Sequence, residues 1–403
     1  MSGGACTVVV GGGVGARMAA VAIARQLPGM TVIRLELPNR LNVLEDGLGA
    51  ARPSIRAFHG LLGVDETEII QHARSTHWLG TRIEGWRDAD YFRVQGSGRV
   101  SDCGLQLYLP AYRHALQALG QSAGVQEITG RITSIELSAD ECTLAALHLE
   151  DGRRLAGDFF VDASGPEALI RGRLGGEWVD WSAALPIDRL IMGSHPAESG
   201  TPTPHDRLVA LGAGWSYAAR TPGSAVHILG YAAQYLDEAA ARQMLFEATG
   251  YDAAHGAALP LKQGRLAEPW KGNCVAIGSA AVTLEPSAAT GLHLVCRHIQ
   301  RLIEGWPGMQ CRPSAAEIAF FNRRTEWEAE RVRDFVQLSY LLSPRQEPFW
   351  RFAAARNASQ QLNFDLEVFR CKGRLRAHDE DSFAPEEWRQ SLCGPQLPGV
   401  VHQ

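Results

Sequence analysis

The chain has no CxxC pair, no HExxH and no histidines at zinc-ligand spacing, so no metal site is expected. Its eight cysteines are scattered at positions 6, 103, 142, 274, 296, 311, 371 and 393, a pattern of reduced core thiols. No apolar run approaches the ~20 residues needed to span a bilayer. The N-terminus runs into CTVVVGGG without a basic segment or a hydrophobic signal core, so a cytoplasmic protein with no membrane contact is expected. Excess positive charge is missing as well: the formal net charge is -5, which argues against a nucleic-acid partner. Repeats and low-complexity linkers are absent, so the domains of this 403-residue chain should interleave.

What is present begins with a βαβ unit. Thr7–Val10 is a β-branched run ending in glycines, Arg17–Gln26 has alanine-rich helical spacing, and Met30–Leu35 is a second strand ending at Glu36. Between the first strand and the helix lies Gly11-Gly12-Gly13-Val14-Gly15-Ala16, which fits GxGxxA. Gly11 permits the tight turn, Gly13 lets the backbone approach a pyrophosphate, and Ala16 lets helix and strand pack closely. Val14 and Gly15 open the helix, whose N-terminus favours phosphate. Glu36, twenty positions after Ala16, is placed to hold ribose hydroxyls. An acidic end suits an unphosphorylated ribose, hence FAD or NAD. No second GxGxxG supplies a separate nicotinamide domain.

Two later segments select FAD. GDFFVDASG (Gly157–Gly165) ends a strand in small residues, so Ala163 and Gly165 should back onto the dinucleotide. GNCVAIGSAAVTLEPSAATGLHL (Gly272–Leu294) reads as a strand, a small-residue loop and a helix start at Thr290-Gly291. A helix N-terminus aimed at a flavin stabilises negative charge on the reduced ring. Gly278, Pro286, Thr290, Gly291 and Leu292 are therefore cofactor candidates. Ile132, in the strand 130–137, is another. Arg113, in a helix expected over Tyr112–Ala123, either reaches the FAD ribose or phosphates or is an exposed helix arginine. Strand patterns dominate 178–231, helix returns over Leu236–Ala248, and the charged FNRRTEWEAERVRDF run reads as a solvated helix face with i,i+4 pairs.

GGGVGARMAA, VIRLELP, DASG, DWSAALPIDR, NCVAIG, LEPSAATGLHL, NRRTEWEAERVRDF and FAPEEWRQSLCG occur in the order found in flavin-dependent tryptophan halogenases, and the chain resembles that family along nearly its whole length. The resemblance implies an α/β fold: an FAD-binding Rossmann-like domain of the aromatic-hydroxylase type, interleaved with a β-sheet substrate domain, plus C-terminal helices. The FAD domain is expected over 1–110 with 111–175 and 265–305, the substrate-facing parts over 40–100 and 176–264, and the helical region over 306–403. FAD would be non-covalent, with dioxygen as co-substrate and electrons from NADH or a flavin reductase.

The sequence departs from that family where halogens are activated. Halogenases carry a lysine in a motif close to TFKLG; here Thr76-His77-Trp78-Leu79-Gly80 puts Trp78 in its place. The partner glutamate and serine fall on Ala288 and Ala289, and the WxWxIP hallmark becomes Trp215-Ser216-Tyr217-Ala218-Ala219-Arg220. An indole cannot replace an ammonium for capturing an oxidised halogen. The resemblance then implies a monooxygenase that hydroxylates tryptophan in a partner protein through a flavin C4a-hydroperoxide, as in tryptophylquinone biogenesis. The alternatives are hydroxylation or halogenation of a small aromatic or indole metabolite, and an FAD-binding maturation factor without catalysis. Candidates beside the ring are His77, Trp78, Glu285 and Thr290. His77 is either a proton donor near neutral pH or a packed or surface histidine; Trp78 is a pocket wall or core. Glu285 either faces the ring or turns away to hold the backbone amides of its own loop.

Overall fold

The computed structural model describes residues 4–38, 43–96, 99–196, 203–221, 223–253, 258–308, 310–376, 378 and 380–393. Residues 197–202 and 222 of the strand-rich stretch, and Gly394 of the C-terminal motif, lie outside the described residues.

The fold is α/β with C-terminal helices. β1 (Cys6–Val10), α1 (Val14–Gln26) and β2 (Thr31–Glu36) form the βαβ unit. A six-stranded sheet is ordered Trp270–Lys271, Cys274–Ala276, Phe159–Asp162, β1, β2, Gln126–Thr129. Its pairs are parallel except the outermost, Trp270–Lys271 with Cys274–Ala276. The strands Val8–Val10 and Phe159–Val161 are fully buried, as strands covered on both faces must be. Register sets Val10 opposite Leu35 and Asp162, and Asp162 opposite Ala276. Three loops, 11–13, 163–165 and 277–279, therefore leave the sheet side by side where the strand order reverses, the place such sheets bind ligands.

A second, seven-stranded sheet joins distant segments. Gly80–Glu84 and Tyr91–Val94 extend a meander of Arg189–Pro196, Ser224–Tyr231, Gly214–Thr221 and His205–Leu211. The pair Gly80–Glu84 with His205–Leu211 is parallel, and the others in this group are antiparallel. One continuous apolar cluster, including Trp78, Trp215, Tyr217, Ala288, Phe335 and Tyr340, joins this sheet to the C-terminal helices.

Those helices run over Ala315–Leu341, Pro348–Ala354, Gln360–Lys372 and Pro385–Cys393. Ser314 and Glu317 form a capping box that starts the first of them. The charged run within it is only in part a solvated face: Arg323, Glu326 and Trp327 are exposed. Glu328, Arg331 and Asp334 are buried, and Glu328 and Arg331 find partners outside this helix: Arg301 for Glu328, Asp365 and Asp381 for Arg331. Charge pattern alone suggested local i,i+4 pairs, whereas these buried charges find opposite charges far away in sequence.

Candidate cofactor crevice

The glycine turn is shaped as its sequence demands. A Cβ on Gly11 would stand 2.3 Å from the Ala163 carbonyl oxygen and 2.9 Å from Ala16 Cβ, so only glycine fits. Gly13 caps α1 in an extended conformation, without a side-chain cap and with no acid in the first turn. One N–H at the N-terminal end of α1 is nevertheless taken. Val14 N–H donates to Asp46 Oδ1 at 2.9 Å, and Arg113 Nη2 reaches the same oxygen at 2.6 Å. Arg113 thus points at the α1 N-terminus, and Asp46 is a site residue that sequence reasoning missed.

Glu36 closes β2 as an ion-paired carboxylate. Arg34 Nη2 lies at 2.8 Å and Arg17 Nη2 at 3.4 Å, and both arginines also reach Glu127. A cavity of about 740 Å³ lies just past this strand end, lined by Leu37, Ile132, Thr133, Ala168, Leu169 and Arg173. On the other side of β1, Ala163 N–H donates to Val10 O. Gly165 takes φ +97°, in the region that favours glycine. The loop that follows is tied by Asp162, a fully buried carboxylate that accepts from Ser164 N and Oγ, Ile170 N and Arg171 N. Burial pushes its pKa up, and these donors act against that.

The loop expected at the flavin ring is folded tightly. Gly278 has φ +57°, Pro286–Ala288 forms a short 3-10 turn, and Ala289 is left-handed at φ +53°. Thr290 precedes the helix Gly291–Glu304 with its side chain making no cap, and Thr290 and Leu292 are both buried. A void of only about 10 Å³ remains between Leu44, Gly278, Pro286, Thr290, Gly291 and Leu294.

Glu285 does not line this void, and its side chain does not hold backbone amides. Its Oε1 accepts from Ser287 Oγ and Tyr340 OH, each at 2.7 Å, and Gln263 Nε2 lies 3.4 Å from Oε2. Tyr340 OH in turn accepts from Trp215 Nε1 at 2.8 Å. All of these partners are neutral. Burial therefore dominates and raises the Glu285 pKa to about 7, against the lowering effect of its donors. Trp215 is the surviving half of the degenerate WxWxIP motif, whereas nothing in the local sequence marks Tyr340.

His77 and Trp78 lie on opposite faces of the strand Thr76–Trp78, as period-two alternation requires. Trp78 points inward and is 1 % exposed, in the same apolar cluster as Leu48, Ala50, Ala288 and Ala289. His77 is partly exposed, with Nε2 3.5 Å from Glu66 Oε1, so the structure does not bring it to the Glu285–Gly291 loop. Arg93, also missed, is buried and donates from Nη2 to Ser287 O at 3.1 Å. Among the described residues no cluster of three His, Cys, Asp or Glu could hold a metal, and no helix is long and apolar enough to cross a membrane.

The profile of the family described as Tryptophan halogenase matches residues 7–109 and 95–403. The chain belongs to that family. Tryptophan 7-halogenase KtzQ of Kutzneria sp. (strain 744) is 31 % identical over 214 residues, 52 % of this chain and 40 % of KtzQ. Tryptophan 7-halogenase RebH of Lentzea aerocolonigenes is 25 % identical over 270 residues, 65 % of this chain and 50 % of RebH. The chain thus spans about half the length of the curated relatives it matches. Among solved structures, the flavin-dependent halogenase BrvH of Brevundimonas sp. BAL3 superposes with a TM-score of 0.87 at 25 % identity, covering 96 % of this chain and 89 % of BrvH. Xcc4156, a flavin-dependent halogenase of Xanthomonas campestris, gives 0.87 at 28 %, covering 96 % and 88 %.

The donors present suit a flavin dinucleotide. Val14 N–H at a helix N-terminus, the Arg113 guanidinium, and Ser279 N–H and Oγ are what a diphosphate needs. The 740 Å³ cavity beside Leu37, one residue past Glu36, falls within the roughly 300–1,000 Å³ of small-molecule pockets.

Proposed function

We propose that the chain is an FAD-dependent oxygenase that inserts oxygen into an electron-rich aromatic ring, the substrate being a small indole-like molecule. FAD, once bound and reduced, supplies activated dioxygen. Gly11, Gly13, Val14, Gly15, Ala16 and Arg113 would hold its diphosphate, Glu36 and Ile132 the adenosine end, Ala163 and Gly165 the middle, and Gly278, Pro286, Thr290, Gly291 and Leu292 the ring.

One observation carries the choice of oxygen over halogen. By the motif resemblance Trp78 and Ala288 fall on the positions of the family's lysine and glutamate, and both are buried. No other lysine can substitute. The chain has three, at 262, 271 and 372, and none of them is buried. An indole ring is itself nucleophilic, so what the protein must add is shielding from water and a proton source. Glu285 suits the second of these roles, because burial raises its carboxyl to about 7 and lets it hold a proton near neutral pH behind the Glu285–Gly291 loop. The relatives' names, which speak of tryptophan, support an indole substrate. The same chemistry on a tryptophan within a partner protein, as in tryptophylquinone biogenesis, is the rival reading.

The test supplies the protein with FAD, a flavin reductase, NADH, oxygen and bromide. A panel of free indoles and a tryptophan-containing protein substrate are offered separately, and products are read by mass spectrometry. Addition of one oxygen to a free indole supports the proposal. Oxygen on the protein substrate alone transfers it to peptidyl tryptophan. Bromine on either would mean that halogen activation survives without the lysine, and no product at all would favour a non-catalytic maturation factor.

A further inference from the structure

A cavity of about 390 Å³ lies where the segments 180–189 and 260–263 meet the end of the helix Pro348–Ala354. Leu185, Pro186, Ile187, Leu261 and Phe352 give it an apolar wall. Gln263 is the wall it shares with Glu285. Its Oε1 accepts Glu285 N–H at 2.9 Å, and its Nε2 donates to Ile187 O at 2.8 Å. The cavity is thus separated by one side chain from the buried carboxyl read above as a proton source.

The charges around this cavity are unequal. Arg189, Lys262 and Arg356 line it, against Asp180 and Asp188. Both acids are already engaged: Asp180 Oδ1 accepts Ser182 N–H at 2.7 Å, and Asp188 Oδ1 accepts Ala233 N–H at 2.8 Å. Asp188 Oδ2 also lies 3.8 Å from Arg189 Nη1. Arg356 is a partly buried cation without an anion. Its guanidinium carbon stands 4.3 Å from the Phe352 ring centroid, and its Nη1 donates to Ser182 O. Its Nε is buried and has no partner. Among the described residues no carboxylate pairs with it, and the titratable groups that act on it are the phenols of Tyr235 and Tyr340. Burial works against its charge and lowers its pKa. A guanidinium stacked on an aromatic ring, with a free N–H beside an apolar wall, is suited to a planar carboxylate.

We infer that this cavity binds an aromatic carboxylate, with Arg356 holding the acid group and the ring lying against Leu185, Pro186, Leu261 and Phe352. The volume is near the small end of the roughly 300–1,000 Å³ of ligand pockets and suits a bicyclic ring with a short side chain. A tryptophan inside a protein has no carboxylate of its own to offer. A free amino acid brings an ammonium beside Arg189 and Lys262, where both acids are engaged. The class selected is therefore an indole carboxylate without an α-amino group. This inference rests on the oxygenase reading, whose substrate it narrows, and its test separates the two.

The experiment titrates the purified full-length protein by calorimetry with indole-3-acetate, indole-3-acetamide and L-tryptophan, for wild type and Arg356→Gln. The same three compounds are then offered in the oxygenation assay. The wild type should bind indole-3-acetate at least about tenfold tighter than the other two. R356Q should lose about tenfold for indole-3-acetate and change less than about twofold for the amide, with KM raised and kcat little altered in turnover. Absence of indole-3-acetate binding, equal wild-type affinity for the acid and either other compound, or unchanged affinity in R356Q overturns the inference. The comparison of ligands on the wild type decides the matter even where R356Q misfolds. Oxygen added to neutral indoles without preference for the acid overturns this inference and leaves the oxygenase reading standing. Acid-selective binding that R356Q abolishes, with no oxygen added to any indole, overturns the oxygenase reading and leaves an aromatic-acid site.

Discussion

Replacement of Glu285 by glutamine should change how stability depends on pH. In the folded chain the Glu285 carboxyl titrates at about 7 because it is fully buried with no cationic partner, against an ordinary value of 4.5. The folded state therefore holds this proton through an interval in which the unfolded chain has released it. Below pH ~4.5 both states are protonated and the group makes no difference. As pH rises from there to 7, the folded state binds more protons than the unfolded one, so stability falls. At about 1.4 kcal/mol per pH unit, the loss accumulates to about 3 kcal/mol at pH 8. Glutamine cannot ionise but keeps an oxygen for Ser287 Oγ and Tyr340 OH. The stability of E285Q relative to wild type should therefore rise by about 3 kcal/mol between pH 4 and pH 8. Urea unfolding of both proteins at pH 4, 5, 6, 7 and 8, compared through midpoints at a common slope, measures this directly. Titrating groups common to both proteins, such as the buried Asp206, which burial raises to about 7, cancel in the difference. A gap between E285Q and wild type that stays constant within about 0.5 kcal/mol across the series would refute the argument. Glu285 would then be ionised in the folded state and stabilised by something other than its neutral partners.

Tyr340→Phe removes one donor to Glu285 and orphans the buried Trp215 N–H, so a loss of about 2–4 kcal/mol is expected in urea unfolding. The loss should be greater at pH 8 than at pH 5, because Glu285 would then be harder to ionise. Gly11→Ala puts a methyl 2.3 Å from the Ala163 carbonyl, and about 1–3 kcal/mol of destabilisation together with weakened FAD binding should follow; unchanged calorimetric affinity would contradict the close-approach role. Glu328 is buried, yet its neighbours His293, Arg301 and Arg297 outweigh that burial and hold its carboxyl far below the usual range. Glu328→Gln removes one of the two carboxylates that Arg301 and Arg297 share, Glu380 remaining, and should cost up to about 3 kcal/mol, read as a lower thermal midpoint at neutral pH.

How much of this was legible in the sequence follows from the range of the interactions. The βαβ unit, the glycine turn and the helix start after Thr290 depend on residues within a few positions of one another, so spacing and composition specified them. The helix expected over Tyr112–Ala123 is Leu109–Ser122, and that over Leu236–Ala248 is Glu238–Thr249, the boundary slippage that fraying ends produce. Alternation alone required His77 and Trp78 to face opposite ways, but which one faced inward depended on the sheet and helices packed against that strand.

The site itself was settled by groups that meet only on folding. Asp46 reaches Val14 across 32 positions, Tyr340 reaches Glu285 across 55, and Trp215 reaches Tyr340 across 125. No local pattern announces such pairs, because each residue is an ordinary one until burial removes its water and forces it to find a partner. Sequence by itself thus determined a dinucleotide fold and the motif resemblance in which Trp78 and Ala288 are the departures. Only the tertiary structure decided that Glu285 is a buried carboxyl held by Ser287 and Tyr340, and that Asp46 and Glu45 take the Val14, Arg113 and Ser279 donors.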